Sequence, residues 1–153
     1  MPHLVIHYTG NLETETHIGT LCRSLADTLL AVHDDTGQPV FPVGGTRVLA
    51  FPAPHFAVAD GGGAGRAAGT HAAPSSGDPG DYAFVYLNLR VTRGRSPAIH
   101  KRVGDALLMA TKAHFQPLFA QRHIGITLQI DEGDDVFEAK HSNLYALFSP
   151  PAV

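Results

Sequence analysis

Two stretches of strand-like alternation, each tied through a helix to a further strand, most constrain what this chain can fold into. The clearer one spans residues 82–91. Ala83, Val85, Leu87, Leu89 and Val91 fall on one face, and Tyr82, Phe84, Tyr86, Asn88 and Arg90 on the other. That period of two predicts a half-buried strand. After a tight Thr92-Arg93-Gly94-Arg95 connection, Ser96 is a good N-cap and Pro97 a suitable first helical residue. The spacing predicts a helix to about residue 121, with Ile99, Val103, Leu107 and Ala110 along one stripe. Pro117 should kink it or end it early. Ile124, Ile126, Leu128 and Ile130 then alternate with Gly125, Thr127, Gln129 and Asp131, a further strand leading into an acidic turn over 131–135.

The N-terminal half repeats this plan. Leu4, Ile6 and Tyr8 alternate with His3, Val5 and His7, and Thr9-Gly10-Asn11 breaks the run. Ile18, Leu21, Leu25, Leu29 and Val32 recur at steps of three and four, predicting a helix over 15–32. Asp34-Asp35-Thr36-Gly37 ends it. A strand is expected over 46–51, stopped by Pro52 and Pro54. A helical crossover between strands implies parallel pairing within each unit. The fold class is therefore α/β, a two-layer α+β arrangement. A tandem β-α-β repeat forms one four-stranded sheet with two helices on one face. The other face, with Val5, Phe84 and Tyr86, lacks a helical cover and is expected to bury itself by oligomerising.

Residues 60–80 interrupt the repeat. They are rich in Gly, Ala, Ser and Pro and hold little to bury, so they read as a mobile, low-complexity insertion in one domain spanning 1–153. The tail over 139–148 ends in an apolar run suited to docking.

Bulk properties exclude several function classes. The net charge is −3 with neutral histidines and no polybasic block occurs, so neither nucleic acid nor an anionic membrane is an expected partner. The apolar run at residues 4–6 is too short for a signal sequence. One cysteine, Cys22, cannot form an internal disulfide, which fits a cytoplasmic protein. It sits beside a helical stripe and reads as a small core residue. The ten histidines lack metal-ligand spacing, and solvated or core roles are expected for all of them. The glycine run at 61–65 lacks a leading strand, a following helix and a Gly-Lys-Ser/Thr end, so it is no phosphate loop.

Three residues remain, each at an element boundary, where α/β units gather functional groups. Pro2 follows the initiator methionine and would become a secondary amine if Met1 were removed. Arg47 opens a strand after a Gly-Gly turn. Arg95 precedes a helix N-terminus, where backbone N–H groups favour an anion. Taken singly, the arginines read better as surface salt-bridge residues, and proline at position two better as a signal for methionine removal.

Four stretches together resemble the 5-carboxymethyl-2-hydroxymuconate isomerase family of the tautomerase superfamily. They are Met1-Pro2-His3, Phe41-Pro42 with Gly45-Thr46-Arg47, residues 81–85 running on to Gly94-Arg95-Ser96, and the tail 143–148. The resemblance implies a homotrimer, no metal and no organic cofactor. It implies Pro2 as catalytic base and Arg47 and Arg95 as substrate-binding arginines. The expected activity is keto-enol tautomerisation of a small carboxylate substrate, a 2-hydroxymuconate-type dienol, to its unsaturated ketone in aromatic-compound degradation. The alternative is a non-catalytic trimeric small-molecule or protein-binding module of the same fold. The sequence departs from the family's pattern between Pro52 and Gly80, where an insertion beside the pocket would alter substrate choice.

Overall fold

The computed structural model describes residues 2–68, 82–134, 136–144, 147 and 148. Four strands carry the sheet: β1 (His3–Thr9), β2 (Arg47–Ala53), β3 (Tyr82–Thr92) and β4 (His123–Gly133). The helices are α1 (Ile18–Leu30), α2 (Gly63–Ala68) and α3 (Pro97–Phe119). Strand order is β2-β1-β3-β4. β1 and β2 are parallel, as are β3 and β4, while β1 meets β3 antiparallel. Each strand-helix-strand unit thus pairs internally as predicted, and the two units join through their first strands.

The alternation decides the layers. Leu4, Ile6 and Tyr8 of β1 and Ala83, Val85, Leu87, Leu89 and Val91 of β3 are buried. They meet Leu21, Leu25 and Leu29 of α1 and Val103, Leu107 and Phe115 of α3 in one core. Those are the predicted stripes, with Phe115 added at the C-terminal end of α3. Burying such side chains is worth about 1.5–3 kcal/mol each, so the helical face orders the sheet. Among the described residues no helix is long and apolar enough to cross a membrane.

Element ends differ from expectation for local reasons. α1 starts at Ile18, because His17 is the N-cap and its Nδ1 accepts from the Thr20 N–H at 3.2 Å. Glu15 is drawn instead to Arg122, which grips both its oxygens at 2.7 and 2.5 Å. β2 runs through Pro52 to Ala53. It is an edge strand, where a residue without an N–H loses nothing on the open side. Asp131, Glu132 and Gly133 pair with Arg90, Val91 and Thr92, so β4 absorbs most of the expected acidic turn; Asp135 lies outside the described residues. α3 ends two residues after Pro117.

The insertion begins in order. Contrary to the expectation that no helix follows the glycine run, α2 forms there. Asp60 accepts from the N–H groups of Gly62 and Ala64, both at 3.0 Å, and from the Tyr82 hydroxyl at 2.7 Å. The Gly65 N–H donates to that same hydroxyl at 2.9 Å. An aspartate satisfying first-turn donors is the usual way a helix starts, and Tyr82 ties the start to β3. Residues 69–80, the rest of the expected insertion, lie outside the described residues. In the tail, Phe148 rests on the Val43–Gly45 turn. A Cβ on Gly44 would come within 2.8 Å of its ring, so a larger residue there would push the ring aside.

Candidate active site

Pro2 is buried at the head of β1. The topology brings both predicted arginines to its end of the sheet. β2 runs parallel to β1, so its first residue lies beside the first of β1: His3 pairs with Arg47. The Arg47 N–H points to the Pro2 carbonyl at 3.4 Å. β3 runs antiparallel, so its last residues lie there too: His3 also pairs with Arg90, and the chain continues through Thr92 to Arg95. Pro2, Arg47 and Arg95, far apart in sequence, thus lie at the same end of the strands.

The arginines are held differently. Arg47 leaves a turn in which the Pro42 carbonyl accepts from the N–H groups of Gly45 and Thr46 and from the Thr46 hydroxyl. By register its side chain lies on the uncovered face with His3. Arg95 lies toward the helical layer. Its guanidinium donates to the Thr92 carbonyl at 3.0 Å and the Val40 carbonyl at 3.5 Å, and sits 5.1 Å from the centre of the buried Phe41 ring. A cation over an aromatic face is favoured by the ring quadrupole. The connection leading to it turns at Gly94, whose φ of +112° suits only glycine. Ser96 then caps α3, its hydroxyl accepting from the Ile99 N–H at 3.3 Å.

The local field disfavours extra positive charge. His3 has its pKa lowered, first by partial burial and then by the charge of Arg47. An amine beside it would meet the same two effects. Among the described residues no group of three or more His, Cys, Asp or Glu side chains is arranged to hold a metal ion. The Cys22 thiol is pushed up by burial, opposite to what a nucleophile needs.

Sequence reasoning did not single out Arg90, whose place appears only once β1 and β3 are in register. It also missed a cavity of about 570 Å³ at the opposite end of the strands, lined by Val58, Tyr82, Phe84, Phe119, His123 and Ile124. The described part of the insertion borders that cavity, not the Pro2 end of its own chain.

Comparison with known proteins places the whole chain rather than the single residues. The family model described as 5-carboxymethyl-2-hydroxymuconate isomerase matches residues 2–148. The chain is 28% identical over 148 residues to the 5-carboxymethyl-2-hydroxymuconate Delta-isomerase of Escherichia coli, covering 97% of this chain and 99% of that protein. A crystal structure of a 5-carboxymethyl-2-hydroxymuconate delta-isomerase superposes with a TM-score of 0.90 at 53% identity, over 100% of this chain and 96% of the other. The 5-carboxymethyl-2-hydroxymuconate isomerase from Deinococcus radiodurans R1 gives 0.74 at 35% identity, over 97% and 95%.

Proposed function

The chain belongs to the 5-carboxymethyl-2-hydroxymuconate isomerase family, and on that premise we propose that Pro2, freed of Met1, is the base of a keto-enol tautomerase. The observation that carries this reading is that Arg47 lies beside Pro2 at one end of the strands, with Arg95 following β3 at that same end. Membership in an isomerase family sets aside the non-catalytic binding module.

The substrate is a 2-hydroxymuconate-type dienol bearing several carboxylates. The Pro2 nitrogen takes the enol O–H proton, the electron pair delocalises through the diene, and the proton returns at carbon to leave the unsaturated ketone. A free α-amine titrates near roughly 8 in simple peptides. Burial and nearby guanidiniums both disfavour its protonated form, so more of it is neutral and ready to accept a proton. Arg47 and Arg95 bind carboxylates through paired N–H donors and stabilise the dienolate as its charge develops.

The enzyme acts as a homotrimer, in the cytoplasm, within aromatic-compound breakdown. Leu49, Phe51 and Phe84 lie exposed on the uncovered sheet face, and copies of the chain are the partners that cover it. Metal or cofactor enters no step.

Two measurements test the base. Intact mass of active enzyme from its native host should lack Met1. Pro2→Ala should lower kcat/KM by about 10²–10⁴, the range for a positioned general base. A retained methionine in active enzyme, or wild-type rates in the variant, overturns the reading.

A further inference from the structure

Arg95 sits in a short connection, and whatever fixes that connection decides where its guanidinium points. β3 ends at Thr92 and α3 begins at Pro97, so residues 93–96 lie between the two elements. Gly94 turns the chain there at a φ of +112°. Its N–H donates to Glu132 Oε1 at 3.2 Å. The Arg95 guanidinium returns to the Thr92 carbonyl at 3.0 Å, a contact within the connection's own stem. Arg93 Nε lies 3.4 Å from an Asp134 carboxylate oxygen, but both side chains are exposed, and such a pair contributes little.

The register explains why Glu132 can reach Gly94. It pairs with Val91, which is buried in the core. Side chains in one row across a sheet share a face, so Glu132 points into the helical layer and not onto the face that copies of the chain cover. There it meets the first turn of α3. The oxygen that accepts from Gly94 also lies 3.6 Å from His100 Nε2. That is too long for a hydrogen bond, and Nε2 is buried without a hydrogen-bond partner. The carboxylate is thus wedged between the connection and the helix it leads into. Both supports are rigid: β4 is paired with β3 along its whole length, and α3 is fixed to the core through Val103, Leu107 and Phe115.

We infer that Glu132 is a positioning residue for the reaction: by gripping Gly94 it holds the 93–96 connection, and through it the Arg95 guanidinium, where a substrate carboxylate meets it. This rests on the reading of Arg95 as a substrate-binding residue. A side chain carried on a loop is precise only where its backbone is held. A carboxylate accepting from an N–H makes a charge-assisted hydrogen bond, stronger than a neutral one. The sign of the effect separates positioning from simple charge. Glu132 is negative, so through its field alone it repels an anionic substrate, and removing it should tighten binding. Positioning predicts the reverse.

Steady-state kinetics on a carboxylated dienol test this. Glu132→Ala should lower kcat/KM about 10-fold, the loss typical of one charge-assisted hydrogen bond. Glu132→Gln keeps an acceptor oxygen within reach of Gly94 and should stay within about threefold of the wild type. In an Arg95→Ala background, adding Glu132→Ala should cost less than about twofold more, because a residue that acts through Arg95 then has nothing to position. Asp134→Ala removes the exposed anchor and should leave the rate within about twofold. Urea midpoints report the fold; if Glu132→Ala lowers its own, Glu132→Asp, one methylene too short for Gly94, takes its place in the same cycle. Wild-type or faster rates in the shortened variant, equal impairment in Glu132→Gln, or additive losses in the double variant overturn the inference. Arg95→Ala alone isolates the parent reading: wild-type rates there sink the Arg95 assignment, whereas a loss there with none in Glu132→Ala sinks only the positioning.

Discussion

His114 shows how one half-buried ring ties stability to pH. Its Nε2 lies 2.8 Å from the Thr16 hydroxyl, and its ring meets Phe115 edge-on at 4.9 Å. Its pKa is lowered, first by burial and then by the charge of His17. The folded chain therefore binds this proton less readily than the unfolded chain, where histidine titrates near roughly 6.5. Stability from this residue is fully present above that pH and is lost as pH falls through it toward the lowered folded value. Urea midpoints should decline from about pH 7.5 to about pH 5.5, and His114→Gln should flatten part of the decline. His3 shifts in the same direction and leaves the rest of the slope in place. An undiminished slope in the variant would show that His114 titrates alike in both states.

At the scale of elements, α3 poses the question of what holds a helix in place. Its start carries every local signal: Ser96 caps it and Pro97 opens it. Its face carries Val103, Leu107 and Phe115, all buried. An N-cap is worth about 1 kcal/mol, whereas truncating a buried phenylalanine costs about 3–5 kcal/mol. Phe115→Ala should therefore lower the urea-derived stability several times more than Ser96→Ala. Comparable losses would mean that the cap, not the face, anchors the helix. The same contrast explains what was legible in the sequence. Strands and helices with a buried face announce themselves by period, so β1, β3, α1 and α3 were readable within a few residues. β2 was cut short because Pro52 stops an interior strand but not an edge one. α2 was missed because it is built on the Asp60–Tyr82 contact rather than on an apolar stripe.

For the whole molecule, legibility falls further, because the site depends on which strands become neighbours. Pro2, Arg47 and Arg95 could be picked out as boundary residues, and the parallel β1–β2 and antiparallel β1–β3 pairings set them at one end of the strands. Arg90 and the buried Arg122–Glu15 pair, 107 positions apart, had no local signature at all. The uncovered sheet face is where the single chain is least complete. Leu49 is 47% exposed there, and Val5 is its register partner on β1. In an isolated chain a glutamate at this position would sit in water at little cost. In an assembly that covers the face it would be a buried, unpaired charge, costing several kcal/mol. Leu49→Glu should thus leave the unfolding midpoint of the isolated chain nearly unchanged while dissociating the oligomer. Sedimentation equilibrium should read three times the 16.2 kDa chain mass for the wild type and the chain mass for the variant. If the variant kept the wild-type mass, this face would not be the one that the copies bury, and the apolar side chains of β2 would need another partner.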